Sequence, residues 1–432
     1  MAEVSKRVDQ TKKKRMQSWI TVSVFCILIF GFSIATLVKP SAEFSETENR
    51  VLRQMPEIKT AAILSGDFES DYEQYLTDQF VFRNEWIGLK TSVERFLFKS
   101  ESKDIYFAKD GYFIEKHTGS FTTNMALRNM QSLARFSEEY IGQFGAEHFT
   151  VMVVPNAVDI LEEKLPPFAC SCDEENYLEQ IAAQLPEGVW FNTTAVLKEH
   201  SDEALYYKTD HHWKTLSAFY VYQEWAKGQG YAVPELTDYE IKTVTDDFEG
   251  TIQSKLGIRT SGDTIELFLP RKKIAYTVIR DGEETDTLYD DSALNTKDQY
   301  AIYFGGNQAL IKIKTKANTG RKIFVIKDSY ANCFIPFMLG EFDEIDVIDL
   351  RYTNRRLSEL IAEGEYTDLL VLYNASGFAE DMSITKLLIR SLRVYSKGLN
   401  TERSEIHEKT FMCNTVLADS AFFGRLRAET GC

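Results

Sequence analysis

Residues 19–38 read WITVSVFCILIFGFSIATLV, twenty residues without a charged side chain. As a helix rising 1.5 Å per residue, a segment of that length crosses a hydrocarbon core of about 30 Å. Ahead of it, Lys6, Arg7, Lys12, Lys13, Lys14 and Arg15 are opposed only by Glu3 and Asp9, which leaves the flank at +4. By the positive-inside rule, residues 1–18 are a cytoplasmic basic segment and residues 19–38 a transmembrane signal anchor, with everything after Val38 exported. The competing reading is a cleaved signal peptide, because Ser33, Ile34 and Ala35 supply small residues near the right place. The apolar run is longer than an ordinary signal-peptide core and continues past them. Both readings export the bulk of the chain; the anchor makes it a single-pass protein of the cell membrane.

The rest of the 432 residues has a globular composition, with 44% hydrophobic and 26% charged residues, so a packed core is expected. The net charge is −16 and no long basic stripe follows residue 17, which argues against nucleic acid as a partner. Cys26 lies in the apolar segment, and Cys333, Cys413 and Cys432 are scattered. Cys170 and Cys172 suit disulfide formation in an oxidising compartment, and their spacing is not that of a zinc site. No metal or cofactor is expected.

Residues 39–122 divide into an extended polar tether to about residue 60, one or two amphipathic helices over 68–99, and a hairpin over 105–115 turning at Lys109-Asp110-Gly111. Residues 123–383 read as one α/β domain. Helices are expected over 123–145, 174–184, 214–229, from 330 and over 354–363. Short apolar strands lie between them at 149–155, 189–191, 322–327, 345–350 and 368–373. That alternation implies a mostly parallel sheet flanked by helices, interrupted by an antiparallel β insertion at about 264–315. Residues 384–432 are expected to be a C-terminal appendage with no assigned role.

Two stretches carry chemistry. In Tyr207-Lys208-Thr209-Asp210-His211-His212-Trp213, an extended backbone points Asp210 and His212 to one side and His211 to the other. The carboxylate then fixes the imidazole tautomer. In Ile326-Lys327-Asp328-Ser329-Tyr330-Ala331-Asn332, a buried strand ends and a helix begins, where ligands collect in open α/β sheets. A serine there has an exposed hydroxyl and free N–H groups nearby to hold an oxyanion. Asp-Ser before a helix is equally an N-cap, and a His-His pair is equally a structural feature or a metal ligand pair.

The stretch TDHHW resembles the signature of the bacterial DHHW protein family, which is similar to the alginate O-acetyltransferase proteins and their SGNH-hydrolase-like catalytic domain. Weaker matches run from Phe44-Ser45-Glu46 and Glu48-Asn49-Arg50 through Asp78-Gln79-Phe80, Arg83 and Lys109 to Tyr112. They continue through Val154-Pro155-Asn156, Lys164-Leu165-Pro166 and Phe304 to Asn307, and KDSYAN, which holds Asp328-Ser329-Tyr330, is a second specific match beside TDHHW. The resemblance implies Ser329 as nucleophile, His212 as general base and Asp210 as the acid that orients it. Asn374 and Asn307 are its oxyanion candidates, Tyr330 and Arg351 are further oxyanion or substrate candidates, and Arg351 with Tyr352 is placed to line the rim. It further implies an O-acetyltransferase that moves acetyl groups to an exported or cell-wall polysaccharide, with a membrane acyltransferase as partner. An acetyl esterase and a non-catalytic polysaccharide-binding or assembly protein are the alternatives.

Overall fold

A computed structural model of the protein describes residues 2–45, 50–170, 173–280 and 282–388. The apolar segment lies in one helix, Ala2–Val38, whose stretch Lys12–Val38 is long and apolar enough to cross a membrane and has no buried residue. Past it, Phe44–Ser45 and Arg50–Val51 pair as a short ribbon. Arg50 grips both oxygens of Asp78 at 2.5 and 3.0 Å, and Gln79 bonds the N–H and C=O of Ala42 at 2.9 and 2.8 Å. The expected extended polar tether is tied to the helix Asp67–Gln79 that follows. A second helix, Arg83–Phe96, is separated from it by a break at Phe82, whose φ of 57° no helix tolerates. The hairpin pairs Ile105–Phe107 with Phe113–Glu115. Its turn puts Gly111 at φ 81°, where a Cβ would be penalised.

The central sheet has seven strands: β1 (Phe149–Val154), β2 (Tyr276–Arg280), β3 (Glu283–Thr285), β4 (Leu310–Thr315), β5 (Lys322–Lys327), β6 (Glu344–Ile348) and β7 (Asp368–Asn374). Their spatial order is β3-β2-β4-β6-β5-β7-β1. The four from β6 to β1 are parallel, and β4, β2 and β3 add antiparallel at one edge. The sheet is thus mixed rather than mostly parallel. Because side chains alternate along a strand, the continuous apolar run of β5 serves two cores at once. Ile323 and Val325 join Trp213, Phe219 and Trp225 on one face, while Phe324 and Ile326 join Met130, Leu133 and Phe136 on the other. Helices Thr215–Gln229 and Asn124–Phe144 close those two faces.

The antiparallel insertion is split. Asp263–Pro270 pairs with Tyr239–Phe248 in a separate ribbon, and only 276–315 reaches the main sheet as β2 to β4. The expected strand at 189–191 is a single bridge between Val151 and Trp190. After Ser329 the chain makes two 3-10 turns, Ser329–Cys333 and Ile335–Gly340, in place of one helix. Pro336 has no N–H to donate, so an α-helix cannot run through it. The last expected helix is shorter than its pattern, Leu357–Glu363. Residues 389–432, which hold most of the expected appendage with Cys413 and Cys432, lie outside the described residues, as do Cys172, Glu46, Glu48 and Asn49.

Candidate active site

The serine is presented by the end of β5. Asp328 caps the turn that follows, its Oδ1 accepting the Tyr330 N–H at 2.9 Å. The capping role that Asp-Ser allowed therefore belongs to Asp328, and the Ser329 hydroxyl is left to meet His212 Nε2 at 2.8 Å. Ser329 is half-buried. Its backbone N–H has no hydrogen-bond partner among the described residues and stands beside the hydroxyl.

The acid and the imidazole come from the loop closed by the Tyr206–Trp213 bridge. Asp210 Oδ1 accepts the His212 backbone N–H at 3.0 Å and lies 2.5 Å from His212 Nδ1. Asp210 Oδ2 accepts the N–H and the hydroxyl of Thr251 at 2.8 and 3.0 Å. Every acceptor direction of that buried carboxylate is thus used, as burial of a charge requires.

The loop is a run of bends wrapped around the carboxylate, not an extended strand, so His211 does not point away. Its Nδ1 is 2.8 Å from Thr251 Oγ1 and 3.7 Å from Asp210 Oδ1, and its ring centroid is 4.0 Å from that of His212. Asp210, His211 and His212 hold potential ligand atoms within 4.8 Å of one another. Those of Asp210 and His212, and Nδ1 of His211, are already engaged with each other, Thr251 or Ser329.

Several supporting residues carry no local signal in the sequence. Asp263 accepts the backbone N–H of Lys208 at 3.0 Å, and the N–H and hydroxyl of Thr209 at 2.7 Å each. The Tyr300 ring stacks on His212 at 3.8 Å and 14°. Gly250 lies against the loop so closely that a Cβ would sit 2.6 Å from both Asp210 Cα and the Thr209 carbonyl oxygen. Only a residue such as Thr251, directly after a glycine, can bring its N–H to the carboxylate there. These contacts come from segments 40 and more residues away, which is why periodicity and spacing miss them.

The other candidates are distributed differently. Tyr330 is fully buried; its hydroxyl donates to the His211 carbonyl at 2.6 Å while its own carbonyl accepts Trp213 Nε1 at 2.8 Å. It stitches the loop to the serine turn and offers no surface to a substrate. Asn374 is the cap of Ala375–Glu380, accepting the Gly377 N–H at 2.7 Å, and its Nδ2 donates to Asp328 Oδ2 at 2.5 Å. One of the two N–H groups of its amide is thus held by that carboxylate. Asn307 turns its Oδ1 to Lys327 Nζ at 2.8 Å, with Asn332 Nδ2 at 3.4 Å. Arg351 forms two bonds to Asp349, which also faces Lys327 at 3.7 Å.

Burial penalises the Asp210 charge. The nearby His211 and His212, with the hydrogen bonds from His212 and Thr251, outweigh it and hold the carboxyl well below the usual range. His211 is pushed down by burial and by His212. Burial draws Lys327 down to about 8 against the pull of Asp349, and pushes Asp328 from the usual 3.8 up to about 6.

For Asp328 the folded protein then binds its proton more tightly than the unfolded chain does. The linked stabilisation is present at low pH and is lost as pH rises through the window from 3.8 to about 6. Urea unfolding midpoints should accordingly decline across that window, less steeply in Asp328→Asn than in the wild type. Parallel curves would contradict the assignment.

No curated protein matches the sequence. Solved structures do. A DHHW family protein from Eubacterium siraeum superposes with a TM-score of 0.56 at 24% identity, covering 66% of this chain and 95% of that one. Bacillus cereus PatB1 with a sulfonyl adduct gives 0.53 at 20% identity, covering 65% and 96%. The O-acetyltransferase domain of Pseudomonas putida AlgJ gives 0.41 at 11% identity, covering 66% and 98%. The first two likenesses establish a shared fold. The family model that matches this sequence is that of the DHHW protein; it matches residues 145–348, which contain the TDHHW loop, β5 and Ser329.

Proposed function

We propose that the protein is a membrane-anchored, extracytoplasmic O-acetyltransferase with an SGNH-type triad, which moves acetyl groups to a hydroxyl of an exported or cell-wall polysaccharide. One observation carries this reading: Ser329 Oγ, His212 and Asp210 form an unbroken relay of 2.8 and 2.5 Å. In the first half-reaction His212 Nε2 takes the Ser329 proton as Oγ bonds to the acetyl carbonyl carbon. The tetrahedral oxyanion is held by the free Ser329 N–H, and the donor oxygen leaves with the proton returned by His212. In the second, a sugar hydroxyl gives its proton to His212 and attacks the acetyl-serine, which regenerates Ser329. Asp210, kept ionised, stabilises the imidazolium in both halves.

Export of the catalytic region is supported by the basic flank before residues 19–38 and by the length of the apolar helix. An acetyl donor presented at the membrane by a partner acyltransferase suits such an anchored enzyme. The reading is tested by mixing the full chain with a chromogenic acetyl ester, quenching, and mapping peptides by mass spectrometry. An acetyl increment is expected on the peptide containing Ser329. No increment, or one on another residue only, overturns it. With a labelled acetyl group and a polysaccharide acceptor, label in the polymer identifies a transferase, and label released only as acetate identifies an esterase.

A further inference from the structure

Helix Arg83–Phe96 has two opposed faces of unlike character. One docks on the catalytic region: Thr91 Oγ1 donates to the Leu256 carbonyl at 2.7 Å, and a Cβ on Gly88 would collide with the Gly257 carbonyl. The other presents Phe82, Trp86, Leu89, Val93 and Phe96, at helical spacing and each at least 41% exposed. Phe98, which follows, is 95% exposed. Phe82 and Phe98 both hold φ 57°, a conformation that is strained for an aromatic residue. Among the described contacts, neither ring gains a buried position in return. A row of large apolar side chains of this kind marks a surface with a partner.

The position of this row names the partner. Trp86 meets Phe32 edge to face at 5.5 Å, Phe80 lies 6.3 Å from the same ring, and the Val81 N–H donates to Thr36 Oγ1 at 3.3 Å. Phe32 and Thr36 belong to the apolar helix that ends at Val38. Phe32 is six residues before that end, about 9 Å inside it at 1.5 Å per residue. A side chain that touches Phe32 is therefore at the depth of the acyl boundary whenever Lys12–Val38 spans a bilayer. Interfacial helices bury their apolar faces to a depth of about 5–10 Å, and tryptophan is enriched there.

We infer that the Phe82-Trp86-Leu89-Val93-Phe96 face lies on the lipid leaflet at the Val38 end of the anchor. The helix is then a second, monotopic foot. This rests on the anchor reading given above. It also has a consequence for the site. The foot docks on Thr251–Leu256 and Gly257, and Thr251 at the head of that short helix holds Asp210. Two membrane contacts on one rigid unit fix the height and tilt of the triad above the bilayer, where a single flexible tether would fix neither.

The test uses the full chain in phosphatidylcholine–phosphatidylglycerol vesicles whose acyl chains carry bromine, which quenches tryptophan on contact. Wild type, Trp19→Phe and Trp86→Phe are compared. Quenching is expected from both Trp19, in the anchor, and Trp86, so each substitution should remove part of the quenchable emission. Leu89→Trp placed in Trp86→Phe should restore the lost part. If Trp19 is quenched, while Trp86 is not and Leu89→Trp restores nothing, the anchor stands and this inference falls. If Trp19 also escapes quenching, both fall. Trp86 shielded from aqueous acrylamide without being quenched by bromolipid would point to a covering protein and would equally overturn the lipid assignment.

Discussion

Ser329→Ala is expected to lower acetyl transfer by about 10⁴-fold or more, as removal of the nucleophile does where the triad acts as a unit. Stability should change little. The serine is half-buried, its hydroxyl bonds to His212 alone among the described residues, and the turn around it is capped by Asp328 rather than by Ser329. Such a substitution normally falls within about 0.5 kcal/mol. Rates on a chromogenic acetyl ester and thermal melts of both proteins separate the two effects. A variant as active as the wild type would remove Ser329 from the chemistry, whatever its distance to His212.

Asp210→Asn should cost about as much activity, roughly 10⁴-fold, because an amide cannot serve both of its sides here. One side must accept from His212 Nδ1 and the His212 backbone N–H, and the other from the N–H and hydroxyl of Thr251. Placing NH₂ on either side sets donor against donor. If it faces Thr251, a buried N–H loses its acceptor at a cost of about 1–3 kcal/mol. If it faces His212, the ring must adopt the tautomer that cannot take a proton from Ser329. The variant should therefore be both slower and less stable, unlike Ser329→Ala.

The sign with pH is distinct from that of Asp328. The native Asp210 pKa is depressed, so its stabilisation is present above the usual 3.8 and is lost as pH falls below it, and Asp210→Asn should lack that acid-side loss. Unfolding midpoints from pH 5 downward check this. Equal acid sensitivity in the two proteins would mean that the carboxylate is not the charged group that the loop is built around.

How far the sequence reaches differs from element to element. The helices Asn124–Phe144, Glu174–Gln184 and Thr215–Gln229 follow their apolar periodicity to within a residue or so. Strands β1, β5 and β7 announce themselves as continuous apolar runs because both their faces are buried. The insertion does not form the single unit that its pattern suggests. Alternating β-formers indicate strands but carry no information about which edge receives them, and here Asp263–Pro270 pairs with Tyr239–Phe248 while the next strands join β4. His211 departs from its expected direction for a related reason: two-residue alternation holds only on an extended backbone, and the loop bends.

Local order alone determined the apolar span with its basic flank, the α/β alternation, and the proximity of Asp210 to His212. All of these depend on residues within a few positions of one another. Tertiary structure decided what spacing cannot encode. His212 and Ser329 are 117 residues apart and meet at 2.8 Å only because Trp213 and Tyr330 lock the loop to the end of β5. Whether a polar side chain is free or committed also depends on partners that are distant in sequence. One amide N–H of Asn374 is held by Asp328, 46 residues away. The apolar span and its basic flank were legible from the first forty residues. The contact of that helix with Trp86, 54 residues beyond Phe32, became visible only once the helices were packed.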